Sequence, residues 1–225
     1  MKNIAGFISI LSILFFFTSG LYSEGQKEPA IISNNGIISY LEGDVSINNN
    51  SAEIGHMVKS TDTIKTGENS YCEVVFGQSN VFKLDENTIT QINWTQSDIK
   101  IQAGAISAVF TKLNKFLNDE KDFTISTPTI VAGVRGTVFY LKVEDQKNTY
   151  LCICNGKLNI GNAEDEMDIS SGHHQAFRFT LNNKIVTTSS AEMLYHTDDT
   201  MNNVAESVNY IIPWDNDAYS GMYKY

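Results

Sequence analysis

From about residue 31 the chain runs in short apolar–polar alternations broken by turn residues. In "SYCEVVF", Cys72, Val74 and Phe76 fall on one face and Tyr71, Glu73 and Val75 on the other, the two-residue period of a half-buried strand. Similar runs of Ile, Val, Tyr, Phe and Thr, separated by Gly, Asn, Asp and Ser, continue to residue 186. The pattern predicts a mainly β domain over 31–186, an antiparallel β-sandwich or roll of short strands. A loose repeat, "LEGDVSI" (41–47), "QAGAISA" (102–108) and "CNGKLNI" (154–160), places a glycine before an alternating strand each time and predicts a corner there. Helical spacing occurs twice. Leu113, Phe116 and Leu117 predict a helix from Val109 to about Asp119. The tail, 187–225, predicts a second, with Thr197 or Asp198 as N-cap, Met201, Val204, Ala205 and Val208 as its buried stripe, and Pro213 beyond its end.

The segment "FTISTPTIVAGVRGTVFYL" (123–141) interrupts this regularity. Thr127 precedes Pro128 and is biased to extended geometry, while Gly133 and Gly136 permit backbone angles or close approaches that other residues resist. Arg135 stands between these glycines with a five-donor guanidinium. Two readings follow: a buried or half-buried clamp that ties loops together, or an anchor for an anionic ligand, with Gly133, Gly136 and Thr137 forming its surroundings.

"TPTIVAGVRGTVF" resembles the signature segment of FecR domains, a Thr-Pro followed by Gly-x-Arg-Gly-Thr-x-Phe. "GDVSI", "DTIKTGENSYCEVVF", "FKLDENTITQI" and "CNGKLNI" resemble the family's other strands in the same order, so the similarity runs from about 37 to 180. The resemblance implies an all-β, exported, non-enzymatic sensing or scaffold module. Founding members of the family relay an iron-uptake signal to a cytoplasmic sigma factor through an N-terminal intracellular segment. Here three residues precede the first apolar run, so no sigma-factor contact is expected, and the implied partner is a protein or glycan of the cell envelope.

A second group of residues lies outside the family signature. In "YLCICNGKLNI" the Asn155-Gly156 pair predicts a two-residue hairpin. Leu151, Ile153, Leu158 and Ile160 would then face the core, and Cys152 and Cys154 would project from the opposite face. Downstream come His173 and His174 in "SSGHHQAF" and His196 in "LYHTDD". Parallel thiolates two residues apart, joined by imidazoles, suit Zn²⁺, Cu⁺ or iron. A Cys152–Cys154 disulfide is a competing reading that export would favour. Their Cα atoms would be roughly 6.5–7 Å apart with parallel Cβ vectors, which strains such a bridge. Unliganded thiols with hydrogen-bonded histidines are the third reading. Strand alternation lets only one of His173 and His174 face the site unless Gly172 reorients the other. The metal reading expects the tail to fold over the cysteine face. A scaffold without metal expects that face open, with the aromatic tail "YIIPWDNDAYSGMYKY" as a docking strip. His56 reads as a loop residue.

Composition narrows the partners. The 225 residues carry a formal charge of −10, which offers nucleic acid no counterion release. "MKNIAGFISILSILFFFTSGLYS" (1–23) has the layout of a signal peptide cleaved after Gly20 or Ser23, or of an uncleaved N-terminal membrane tether. A periplasmic or secreted protein is expected. Nucleophile elbows, phosphate loops and His-Glu-x-x-His are all missing from the sequence. A Cys154–His174 nucleophile pair is the one enzymatic alternative, and no catalytic residue is assigned.

Overall fold

The computed structural model of the protein describes residues 35–77, 79–111, 113, 123–161 and 166–215. The 1–23 leader and the predicted helix beyond Leu113 lie outside these residues. The first half of the chain forms β1 (Gly36–Glu42), β2 (Val45–Ile47), β3 (Asn50–Ser51), β4 (Met57–Val58), β5 (Thr63–Thr66), β6 (Tyr71–Phe76), β7 (Asn80–Leu84) and β8 (Ile89–Asn93). The second half forms β9 (Asp98–Phe110), β10 (Phe123–Ser126), β11 (Val131–Val143), β12 (Asn148–Gly161), β13 (Glu166–Ser171), β14 (Gln175–Asn182) and β15 (Ile185–Ala191), then the helix α1 (Asp198–Glu206).

All the strands belong to one sheet, whose main path runs β15-β14-β12-β11-β10-β9-β7-β6-β1-β4. Side chains from β1, β2, β5–β12, β13 and β14 nevertheless meet in one apolar cluster. A flat sheet could not bring them together, so this one curls into a roll with its inner face as core. Phe76, Phe110, Phe123 and Phe139 interlock at its centre with ring centroids 5.2–5.7 Å apart. Trp94 closes one side and donates its indole N–H to the Val58 carbonyl at 2.8 Å.

Curling is achieved by three long strands that change partners halfway. β9 pairs with β8 up to Ala103 and with β7 from Ile106. β12 pairs with β14 up to Ile153 and with β13 from Gly156. β11 changes from β10 to β9 between Val134 and Thr137. A glycine with positive φ sits at each change: Gly104 (+82°), Gly136 (+152°) and Gly156 (+113°). Thr88 plugs the β9 corner, its Oγ1 accepting from Ala105 N at 3.0 Å and donating to Ala105 O at 3.1 Å.

This geometry corrects several expectations. Asn155-Gly156 is no hairpin turn: β12 runs through it for 14 residues, and a Cβ at Gly156 would lie 3.0 Å from the Gly136 carbonyl oxygen. The repeated glycines at 104 and 156 are corners within strands; only Gly43, between β1 and β2, lies between two strands. Val109 and Phe110 end β9 and do not start a helix. The strands are not uniformly short, and β10 runs parallel to β9 although the other pairings are antiparallel. The Thr-Pro element is hairpin chemistry. Thr127 Oγ1 accepts from the backbone N–H groups of Thr129 and Ile130 at 3.2 and 3.1 Å, closing the β10–β11 turn.

Arg135 is not a buried clamp. Val134 points into the core, so alternation turns Arg135 outward at the β11 corner, where it is exposed. It lines an open groove with Gly133, Gly136, Lys157, Asn159 and Asp168. Thr137 is buried and donates to the Lys157 carbonyl.

The outer face of β7, β9, β11, β12 and β14 carries a second apolar cluster: Val81, Ala105, Val109, Val138, Tyr140, Tyr150, Cys152, Cys154 and Ala176. Met201, Val204, Ala205 and Ile212 cover it. Thr197 caps α1 through a reciprocal pair with Thr200, as the sequence suggested.

Two outcomes follow from this packing. Gly104→Ala forces a Cβ into Thr88 at a left-handed backbone position, and should cost about 2 kcal/mol or more in urea denaturation. Cys72 lies in the inner core, and burial, then the neighbouring Glu73, push its thiol up to about 12. In the native protein at pH 8 it should escape alkylation by iodoacetamide, and react once unfolded, as read by peptide mass spectrometry.

Candidate metal centre

The cysteines occupy the outer face of β12 because Leu151 and Ile153, alternating with them, fill the inner core. All three cysteines of the protein are free thiols. His174 arrives from the β13–β14 connection, where its φ of +43° turns the ring toward β12 and its backbone N–H donates to the Cys154 carbonyl at 3.1 Å. His196 comes from the connection between β15 and α1, just before the Thr197 cap. Cys152 and Cys154 are 0% exposed, His174 4% and His196 6%.

Four donor atoms converge here. Cys152 Sγ lies 3.5 Å from His174 Nδ1, Cys154 Sγ lies 3.4 Å from His196 Nε2, and the two imidazole nitrogens are 3.3 Å apart. All four lie within 4.8 Å of one another. The remaining ring nitrogens are engaged by groups that only accept. His196 Nδ1 is 2.8 Å from the Leu194 carbonyl, and His174 Nε2 is 2.6 Å from Asp198 Oδ1. A carbonyl or carboxylate requires a proton on the nitrogen facing it, so the neutral imidazoles turn His196 Nε2 and His174 Nδ1 inward as lone pairs. Histidine ligands of metals are held this way, by a carbonyl or carboxylate on the far nitrogen.

His173 does not join the four. Its Nε2 lies 3.1 Å from Asp198 Oδ2, so one carboxylate spans both neighbouring histidines. Trp214 lies against both rings, at 4.8 Å from His173 and 5.2 Å from His174, and Tyr140 stacks on His196 at 4.7 Å. His56 is an exposed loop residue.

Protonation follows from this crowding. Burial alone would raise the Cys152 thiol, but hydrogen bonds from Cys154, His174 and His196 bring it well below its ordinary value. Burial raises Cys154, and the adjacent Cys152 raises it further. Burial disfavours charge on His174, yet Cys152 and Asp198 lift it above its usual value. Burial would raise Asp198, but His174 and His173 hold it below the ordinary carboxylate range. Without an ion, these directions favour charge on Cys152 and His174 and a neutral Cys154 thiol.

The sequence offered five candidates, of which four converge and His173 does not, and it missed what orients them. Asp198 read only as a helix-capping residue, and its place directly after "HT" gave no hint of a partner 24 residues upstream. Leu194 acts through its backbone, which leaves no trace in residue type.

Comparison with known proteins addresses the sheet and leaves the cluster aside. No curated protein sequence matches the chain. Two crystal structures of a candidate anti-sigma factor from Parabacteroides distasonis are similar over part of the chain, with TM-scores of 0.46 and 0.45 and 14% identity in each case. The aligned region spans 57% of this chain and 59% of that protein. The model of the FecR protein family matches residues 62–159. That span is narrower than the stretch over which the motifs resemble the family, and it includes Cys152 and Cys154 but none of the three histidines or Asp198. The matched stretch runs from the turn before β5 to two residues short of the end of β12, so the similarity to the FecR family lies within the sheet.

Proposed function

We propose that this FecR-domain protein is a non-catalytic sensing module of the bacterial cell envelope that binds one divalent transition metal, Zn²⁺ foremost, through Cys152, Cys154, His174 and His196. The observation that carries this is the spacing of the four inward donors. A tetrahedral ion with bonds of about 2.05 Å to nitrogen and 2.3 Å to sulfur sets N···N edges near about 3.35 Å and N···S edges near about 3.55 Å. Three of the six edges match here, the N···N edge at 3.3 Å and two N···S edges at 3.4 and 3.5 Å, and the other three lie within 4.8 Å.

Charge favours a divalent ion. Two thiolates and M²⁺ make a neutral group in a buried setting, whereas Cu⁺ leaves one negative charge there. Four protein donors fill the coordination sphere, the arrangement of sites that hold a metal without performing chemistry on a substrate. Cys152, His174 and Asp198 also line up as nucleophile, base and orienting carboxylate. Yet Cys152 is fully covered by the tail, so no acyl group can reach its sulfur. The scaffold alternative expected an open cysteine face, and this one is closed. The envelope setting rests on the apolar leader at 4–18 and on the FecR domain; no helix among the described residues is long and apolar enough to cross a membrane. The partner is an envelope protein or glycan.

Elemental analysis of protein purified anaerobically without chelator should give about one equivalent of zinc, lost in a Cys152→Ser/Cys154→Ser variant. Asp198→Asn keeps all four ligands and should weaken binding about 10–100-fold in a chelator competition. His173→Ala should leave affinity within about threefold of wild type, since its Nε2 pairs with Asp198 and it is outside the four-donor group. A metal-free wild type with Cys152 and Cys154 bridged, seen by mass spectrometry, would overturn the reading.

A further inference from the structure

The donors come from two parts of the chain that nothing covalent holds together. Cys152, Cys154 and His174 belong to β12 and the connection entering β14, all fixed within the sheet. His196 lies 42 residues from Cys154, at the start of the segment that carries α1. Asp198, which orients His174, is the first residue of that helix. We infer that the metal is a latch: its binding closes residues 194–215 over the outer face of the sheet, and its loss frees them. This inference rests on the metal-binding reading above.

Three features make the segment dependent on the site. First, α1 has nine residues, too few for a helix to persist in water without tertiary support. Its buried apolar support is Met201, Val204 and Ala205 in the helix and Ile212 after it, with Leu194, Val208, Tyr210 and Trp214 partly buried beside them. Second, the polar ties are scattered single hydrogen bonds. Leu194 N donates to Tyr150 Oη and Tyr195 Oη to Glu144, both at 2.8 Å, Ser207 Oγ to Glu73 at 2.6 Å, Asn155 Nδ2 to the Pro213 carbonyl at 2.9 Å and Asp215 N to the Gly172 carbonyl at 3.1 Å, while Trp214 rests on His173 and His174. Third, the ion-free cluster holds His196 by thiol and imidazole contacts at 3.3–3.4 Å, and a thiol is a weak donor. A coordinate bond replaces that contact when the ion binds.

The energetic link is direct. Opening the segment removes one ligand of four and the carboxylate that orients another, so the closed form binds the ion more tightly than the open form. A ligand shifts a two-state equilibrium by this difference in affinity and by nothing else. Opening uncovers Val81, Ala105, Val109 and Val138, the apolar positions on the outer face of β7, β9 and β11. The sheet's inner core includes none of the tail, so it survives the opening.

Hydrogen exchange of the full chain, read by mass spectrometry with and without one equivalent of added Zn²⁺, tests the latch. Zn²⁺ binding is measured in parallel by chelator competition. The expected result is slower exchange across 196–210 in the loaded form, by up to about 100-fold when free Zn²⁺ is 100 times its dissociation constant. Peptides from β2, β5 and β8, which pack only in the inner core, should exchange equally in both forms. His196→Ala should still take up Zn²⁺ through three ligands, more weakly, and lose the zinc-dependent protection of 196–210. Stoichiometric zinc binding with equal exchange of the tail in both forms overturns the latch and leaves the metal site standing. Deprotection of β2, β5 and β8 on zinc removal also overturns it, because the ion would then hold the whole domain. Failure to bind zinc at all removes the metal reading and the latch together.

Discussion

Over Tyr150–Cys154, strand β12 has no face toward water, and the rest of the molecule is arranged to cover both of its sides. Leu151 and Ile153 point into the rolled sheet, while Tyr150, Cys152 and Cys154 point outward, where an ordinary β roll would meet solvent. Supplying the second cover is the task of the C-terminal segment. Because that cover is short and only modestly apolar, it brings polar side chains into contact with the strand. Those side chains, His196 and Asp198, join His174 and the thiols in a strongly polar cluster set in a largely apolar surface.

Burial makes that cluster electrostatically demanding. Thiols and imidazoles packed this closely cannot all hold their solution protonation states, so Cys152 is pushed toward its thiolate and His174 toward its protonated form. When the rings are neutral, the Leu194 carbonyl and the Asp198 carboxylate leave both inner nitrogens as lone pairs. The proposed divalent ion would take the place of the protons at similar net charge. The stretch matched by the FecR model contributes the strand that presents the sulfurs, and residues beyond it contribute the nitrogens. The donor cluster and the matched stretch are therefore separable features of one chain.

Much of this was legible residue by residue. The period-two pattern at Cys72, Val74 and Phe76 marked their shared buried face, and the 3.6-residue stripe at Met201, Val204 and Ala205 marked the face of α1 that is covered. The same alternation placed Cys152 and Cys154 opposite Leu151 and Ile153, even though the hairpin invoked to argue it does not exist. Glycines misled where local rules were applied to long strands. Asn155-Gly156 satisfies the chemistry of a tight turn, but pairing of β12 to β11 on one side, and to β14 and β13 on the other, holds the chain extended through it. Arg135 misled in the opposite sense, since bracketing glycines suggested burial at what is an exposed corner.

The sequence by itself determined the strand-rich class, the capped tail helix, the FecR-like order of motifs and the two cysteines and three histidines among which the donors are found. Each is a matter of local periodicity, side-chain chemistry or linear spacing, and a single chain segment suffices to express it. Only the tertiary structure decided that the sheet rolls at Gly104, Gly136 and Gly156, that His174 and His196 reach the thiols while His173 turns to Asp198, and that Leu194 and Asp198 set the tautomers. These outcomes depend on which strands pair and on where a tail some 40 residues downstream comes to rest. Both are settled by burying two faces of one strand at once, a condition that no local pattern encodes.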